Sequence, residues 1–178
     1  MEFLTAFWSG LEPTLSITRL SAIWLFPLSL PICFWAAWSD MRAMRIPNYS
    51  VLALALIFVL IGPFLMPLPE FGARLVQLVV VLLVGIILNA GGLVGAGDAK
   101  FSAAAAPYIA LGDLRFVLAL FAATLLGAFT THRLARRSPL RKLAPDWESW
   151  TRQRDFPMGL ALGGALSIYL GLGIVYGS

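Results

Sequence analysis

The stretch that decides the fold is Leu75–Val94, LVQLVVVLLVGIILNAGGLV, which runs for twenty residues without a charged side chain. A transmembrane helix needs about 20 consecutive, mostly apolar residues to cross the hydrocarbon core of a bilayer. Backbone N–H and C=O groups find no water there, and a helix satisfies them all within one segment. The stretch therefore predicts a membrane-spanning helix.

Other segments have the same apolar character, so the chain is predicted to be an all-α, polytopic integral membrane protein. We expect about six helices, at Leu20–Trp38, Tyr49–Leu68, Leu75–Val94, Ala99–Leu111, Phe116–Thr131 and Phe156–Tyr176. The composition agrees, since only 12% of the residues are charged and 60% are hydrophobic, whereas a soluble domain has about 25% charged residues. The length predicts a single membrane-embedded domain over residues 1–178.

The fourth segment, Ala99–Leu111, is the shortest of the six. At about 1.5 Å per residue it would cover about 20 Å of a hydrocarbon core that is about 30 Å thick. If it entered the membrane and turned back, the fifth helix would reverse and the basic loop after it would lie outside. We therefore expect this segment to span, with one end below the membrane surface.

The basic residues predict that the N-terminus lies outside, since cytoplasmic loops carry an excess of Lys and Arg. This orientation puts ten of the thirteen on the cytoplasmic side: Arg42, Arg45, Lys100, Arg133, Arg136, Arg137, Arg141, Lys142, Arg152 and Arg154. Only Arg19, Arg74 and Arg115 then lie outside. In so apolar a chain, the net charge of +4 favours contact with anionic lipid over nucleic acid. The long basic loop Arg133–Asp155 is expected to contact the lipid surface or to dock the substrate.

Several residues are expected at the membrane surface or in the apolar interior. The stretch Phe3–Trp8 is predicted to lie at the interface, and the start of the chain lacks the basic residues of a cleaved signal peptide. His132, at a predicted helix end among arginines, is expected to interact with the helix dipole or to lie at the interface, outside any functional site. Cys33, the single cysteine, is predicted to be a small buried hydrophobe. Tryptophans are expected at the headgroup level: Trp35, Trp38, Trp147 and Trp150.

Two of the nine acidic residues stand out because they adjoin predicted membrane segments. Asp40 follows the first segment, and Asp98 lies in GGLVGAGDAKF, between the third and fourth segments. Two predicted crossings separate them, so both carboxylates should reach the same face at similar depth. A carboxylate near the bilayer is costly and is therefore a candidate functional group. Most of the other acidic residues, Asp113 among them, are expected to be loop charges.

A pair of carboxylates in one site is suited to peptide hydrolysis. The two cannot both ionise easily, so the pair holds one proton between them. The ionised carboxylate can take a proton from water while the protonated one polarises the scissile carbonyl. Gly95 and Gly97 leave the backbone before Asp98 without Cβ atoms. This predicts unusual dihedral angles and room for an extended peptide.

The residues alone leave other interpretations open. Asp98 could be a helix N-cap, and Asp40 could be a solvated charge paired with Arg42 or Lys100. Lys100 could instead contact the anionic leaflet or tune the charge of the pair. Two further residues could serve only to start and cap the second helix, or could shape the loop beside Asp40: Pro47 and Asn48.

Three blocks of the sequence resemble the type IV prepilin peptidases, membrane aspartic proteases with a Gly-x-Gly-Asp motif. They are Asp40 with the following Ile46-Pro47-Asn48, then GAGDAKF at residues 95–101, and FPMGLALG at residues 156–163. The resemblance implies that Asp40 and Asp98 are the catalytic aspartates and that Gly95 and Gly97 are the motif glycines. It implies no metal and no cofactor.

The resemblance also implies a substrate and a location. Such enzymes cut a short basic leader from prepilin-like membrane proteins, after a glycine, at the cytoplasmic face of the bacterial inner membrane. Larger members carry a cytoplasmic insert associated with methylating the new N-terminus. No such insert is visible here, so the chain resembles the short, stand-alone CpaA/TadV-like branch of Flp pilus assembly, and methyltransferase activity is not expected.

Two functions of other classes stay open at this point. Intramembrane acids also line ion paths, so a proton- or cation-coupled carrier is one alternative. Carriers more often contain inverted repeats with broken helices near the midplane, and no repeat is visible in this sequence. The other alternative is a non-catalytic assembly factor of a pilus or secretion machine. The oligomeric state is unknown.

Overall fold

The computed structural model describes residues 14–152 and 155–178, and Phe3–Trp8 therefore lies outside the described residues. The described residues form six α-helices: α1 Arg19–Ala43, α2 Asn48–Leu65, α3 Leu68–Ala90, α4 Ala96–Ala105, α5 Leu114–Arg137 and α6 Met158–Tyr176. Five of them, all except α4, are long and apolar enough to cross a membrane. The prediction of an all-α polytopic membrane protein is confirmed, whereas the outward N-terminus stays a prediction.

The most extensive helix pair is formed by α1 and α6, which run antiparallel. Backbone hydrogen bonds join the start of α1 to the end of α6. Leu15 N–H donates to Tyr176 C=O at 2.8 Å, and Arg19 N–H donates to Ser178 C=O at 3.0 Å. Cys33 is buried, as predicted. A Cβ atom on Gly163 of α6 would lie only 2.8 Å from the carbonyl oxygen of Cys33 on α1. The close packing of α1 against α6 therefore depends on a small residue at position 163.

Gly163→Ala is therefore expected to destabilise the protein by about 1–3 kcal/mol, the usual cost of overpacking. The added methyl group would meet the Cys33 backbone, which cannot rotate away. Gly164→Ala is a matched control, because a Cβ atom there meets no neighbouring atom within 4 Å. Thermal unfolding in detergent measures both variants. Equal unfolding midpoints would contradict the close α1–α6 contact.

The fourth segment is shorter as a helix than predicted. Helix α4 ends at Ala105 rather than Leu111, and the chain continues as a 3₁₀ turn over Ala106–Tyr108. Pro107 lies in this turn and has no N–H to donate to a continuing helix. The Tyr108 hydroxyl donates to the Leu54 carbonyl at 2.7 Å, inside the bundle. Non-helical backbone at membrane depth is tolerated where, as here, it is buried in protein.

Asp113 marks the far end of this segment and fixes it to the rest of the bundle. Its Oδ1 accepts the Ser16 N–H at 2.7 Å, and its Oδ2 accepts the Ile17 N–H at 3.1 Å and the Tyr169 hydroxyl at 2.7 Å. That hydroxyl also accepts the Ala110 N–H at 3.1 Å. Asp113 is buried, so the prediction that it is a loop charge is wrong. The segment thus reaches the end of the bundle where α1 begins.

Two helices extend beyond their predicted ends. Helix α1 continues past Trp38 to Ala43, so Asp40 lies inside its last turns rather than after it. Helix α5 continues past Thr131 to Arg137, so the predicted loop Arg133–Asp155 begins as helix. The described part of the connection to α6 contains two 3₁₀ turns, Pro139–Leu143 and Glu148–Trp150.

Stacked aromatic rings pack the connection between α5 and α6 against the helix bundle. The Trp150 ring stacks on His132 at 5.0 Å and on Trp147 at 5.6 Å, and Trp147 meets Trp38 edge-on at 5.0 Å. Trp150 and His132 are 4% and 3% exposed. Both are therefore buried inside the protein, so neither contacts lipid as a membrane-anchoring residue would. The stack holds the chain that leads into α6 against α1 and α5.

Candidate active site

Asp40 is held by the beginning of α6. Its side chain is buried near the end of α1, and its Oδ2 accepts the Gly159 N–H at 2.7 Å. The first N–H groups of a helix have no partner within the helix, and the helix dipole there favours a negative charge. Among the described residues, neither Arg42 nor Lys100 forms an ion pair with Asp40. The interpretation of Asp40 as a solvated, paired charge is therefore wrong.

Asp98 lies in the first turn of α4, whose N-cap is Gly95. The alternative of Asp98 as the N-cap is therefore wrong. A Cβ atom on Gly95 would lie 2.7 Å from Asp98 Oδ2, and one on Gly97 would lie 3.4 Å from the Cβ of Ile46. Gly95 has an ordinary extended φ of −64°, so these glycines serve close approach rather than the unusual dihedral angles that we predicted. The positive φ, 72°, occurs earlier, at Gly92.

The two aspartates line the same cavity, which has a volume of about 280 Å³. An adjoining cavity of about 310 Å³ is also lined by both. Helices α1 and α4 thus bring the two aspartates that the sequence predicted at one face to one cavity. Among the described residues, no three His, Cys, Asp or Glu side chains are grouped as metal ligands would be.

Lys100 and Asn48 lie at the edge of the first cavity. Lys100 Nζ donates to Asn48 Oδ1 at 3.2 Å, and both side chains are exposed. Asn48 is the first residue of α2, and Pro47 is its N-cap. The idea that Asn48 caps the helix is therefore wrong, whereas Pro47 does mark the start of the helix, as predicted. The two-residue bridge joins α2 to α4 beside Asp98.

Sequence reasoning missed three residues of this site. Gly159 lies in the block at residues 156–163 that carries the resemblance, but no local sequence pattern indicates its hydrogen bond to Asp40. Arg152 and Asp155 line the adjoining cavity, and Arg152 lies 3.4 Å from Asp155 and 3.7 Å from Glu148. Their position just before α6, the helix that binds Asp40, is the sequence feature that could have indicated them. The sequence otherwise indicates only lipid or substrate contact for this loop.

Gly159→Ala is expected to slow catalysis at this site by about 10–100-fold, the effect of misplacing a reacting group by about 1 Å. A Cβ atom there would lie 3.0 Å from Asp40 Cβ and 3.1 Å from Asp40 Oδ2. The carboxylate would have to move away from the N–H that orients it. Turnover and unfolding midpoint are measured together, with Gly164→Ala as control. A Gly159→Ala enzyme as fast as the control would contradict this role.

Comparison with known proteins agrees with this arrangement. A family model described as "Type IV leader peptidase family" matches residues 27–132, which is more than half of the chain. The chain belongs to the type IV leader peptidase family, and so is a multi-pass membrane peptidase of the aspartic type. No curated protein and no solved structure matches it. The matched range contains Asp40 and Asp98 and ends before α6.

Proposed function

We propose that this protein is an aspartic endopeptidase that removes the short leader from prepilin-like, Flp-type membrane proteins, with Asp40 and Asp98 as its catalytic residues. One observation carries the proposal. Two carboxylates from distant helices line one cavity in a chain of the leader peptidase family. An assembly factor needs no such pair, and a carrier would more often contain inverted repeats, of which none is visible in the sequence.

The reaction needs only these two side chains and water. The ionised carboxylate takes a proton from a water molecule, whose oxygen attacks the scissile carbonyl carbon. The protonated carboxylate donates a hydrogen bond to the carbonyl oxygen, which gains negative charge in the tetrahedral intermediate. The C–N bond then breaks as a proton passes to the leaving amine. The titration belongs to the pair, so neither aspartate is assigned as the acid or the base.

The surrounding residues have supporting roles in this proposal. The Gly159 N–H donates to Asp40 Oδ2 and orients this carboxylate. Gly95 and Gly97 lack side chains that would obstruct an extended peptide. Lys100 and Asn48 bridge α2 and α4 beside this opening and stabilise its shape.

The location follows from the charges at this end of the bundle. Arg42, Arg45 and Lys100 lie close to the two aspartates in sequence. The positive-inside rule therefore supports a site at the cytoplasmic face of the bacterial inner membrane. Basic residues of the connection between α5 and α6 would contact anionic lipid. We assign the chain to the short CpaA/TadV-like branch, as one peptidase domain without methyltransferase activity.

Cleavage by the purified chain in liposomes tests this proposal. A Flp-type prepilin is added, and the product is identified by mass and by its new N-terminus. We expect a single cut at the end of the leader, after a glycine. A prepilin that stays intact would overturn the proposal. Ion uptake that depends on Asp98 would then favour the carrier, and normal pilus assembly without either aspartate would favour the assembly factor.

A further inference from the structure

Helices α3 and α5 leave a groove between them. Each packs on a different neighbour, α3 on α4 and α5 on α6, while α3 and α5 themselves make almost no contact. The groove has a volume of about 280 Å³, and helices α4 and α6 form its floor. Residues from all four helices line it, including Val81, Ser102, Ala105, Leu118, Phe121 and Leu162.

The groove lies further along α4 than the catalytic cavity, and no residue lines both. The first turn of this helix, with Asp98, lines the cavity. Ser102 and Ala105 follow on the same helical face, at spacings of four and three residues, and both line the groove. The groove then extends to Ile109, toward the end of the bundle where Asp113 lies. One helix therefore presents the catalytic carboxylate at its start and the groove along its length.

The groove is apolar apart from Gln77, Ser102 and the Tyr169 side chain. Gln77 Nε2 donates to the carbonyls of Ala106 at 2.8 Å and Ile109 at 3.3 Å. Its Oε1 is buried and has no donor among the described residues. A buried acceptor without a partner is costly. This atom has no exposed surface, so it does not contribute to what the groove binds.

We propose that this groove binds the apolar membrane helix of the substrate. The inference rests on the proposed function. Membrane helices associate where small residues let their backbones approach, and Ser102, Ala105 and Ala106 supply such residues on the floor. A helix lying along α4 would place the peptide bond just before it at Asp98.

Cross-linking tests where the substrate helix lies. Leu118→Cys is combined with Asp98→Asn, so that the prepilin is retained uncut, and single cysteines are scanned through the prepilin helix. Leu60→Cys on α2 is the matched control, because Leu118 and Leu60 are 60% and 64% exposed. The native Cys33 is buried, and a protein that carries only this cysteine measures the background of disulfide formation. We expect periodic disulfide formation at position 118 and none at 60. Equal cross-linking at both, or none at 118, would overturn the proposal.

Cleavage kinetics separate this inference from the function itself. Leu118→Trp should narrow the groove and slow cleavage of the full prepilin by about tenfold or more. Cleavage of a soluble leader peptide without the membrane helix should keep its unsubstituted rate, and Leu60→Trp should affect neither substrate. Normal prepilin cleavage by Leu118→Trp would refute the groove but leave the peptidase intact, and would fit a groove that holds only lipid. If the unsubstituted chain does not cut prepilin, the proposed function itself fails.

Discussion

Asp40→Asn and Asp98→Asn are each expected to lower the rate of prepilin cleavage by about 10²–10⁴-fold, the contribution of a positioned acid or base. An amide is nearly isosteric with a carboxyl group but neither takes a proton from water nor donates one to a leaving amine. Each substitution should therefore remove the paired chemistry while the fold survives. Single-turnover cleavage in liposomes measures the loss, because it is independent of product release.

Matched variants make this result specific. Asp146 is exposed and lies outside both cavities, so Asp146→Asn should cleave at the unsubstituted rate. Asp98→Glu keeps the charge but lengthens the side chain. The Asp98 carboxylate already lies close to Gly95, because a Cβ atom added to Gly95 would be only 2.7 Å from Asp98 Oδ2. We expect it to be almost as impaired as Asp98→Asn. If Asp40→Asn or Asp98→Asn keeps more than about a tenth of the rate, that residue is not an acid or base of the reaction.

Asp113→Ala should have the largest effect on stability, about 2–6 kcal/mol. The substitution leaves the Ser16 and Ile17 N–H groups and the Tyr169 hydroxyl without their acceptor. The Ile17 N–H and the Tyr169 hydroxyl form buried bonds, and each unsatisfied buried donor costs about 1–3 kcal/mol, whereas Ser16 is exposed. The loss should also release the end of the fourth segment, which is tied to α1 and α6 through this carboxylate. The unfolding midpoint in detergent measures the effect.

Two comparisons test whether the effect of Asp113→Ala arises from these bonds. Tyr169→Phe removes only one of the three donors, so it should destabilise the protein less than Asp113→Ala does. Asp146→Ala removes an exposed carboxylate and should leave the midpoint within about 0.5 kcal/mol of the unsubstituted chain. A midpoint for Asp113→Ala as high as that of Asp146→Ala would show that the cluster adds nothing to stability.

The sequence was sufficient for the fold class and for the pairing of the aspartates. Uncharged stretches such as Leu75–Val94 indicate membrane-spanning helices, because about 20 consecutive apolar residues are what a helix needs to cross the hydrocarbon core. The even number of crossings between Asp40 and Asp98 places both at the same face without any knowledge of packing. The structure then brings both carboxylates to one cavity.

The contacts that hold the site could not be predicted because their partners are far apart in sequence. Gly159 and Asp40 are separated by 119 positions, and Asp113 and Ser16 by 97. A local pattern carries no information about such pairs. The same limit explains the error at the end of α1. Polar residues after Trp38 suggested a loop, whereas burial of Asp40 against α6 keeps that stretch within the helix.

Whether Asp40 and Asp98 share one proton can be measured from the pH dependence of kcat/KM for prepilin cleavage by the purified chain. Below the optimum both carboxyl groups are protonated and neither can accept a proton from water. Above it both are ionised and none can donate to the scissile carbonyl. We therefore predict a bell-shaped profile that falls on both sides. A rate that is constant with pH, or that changes in one direction only, would contradict the shared proton.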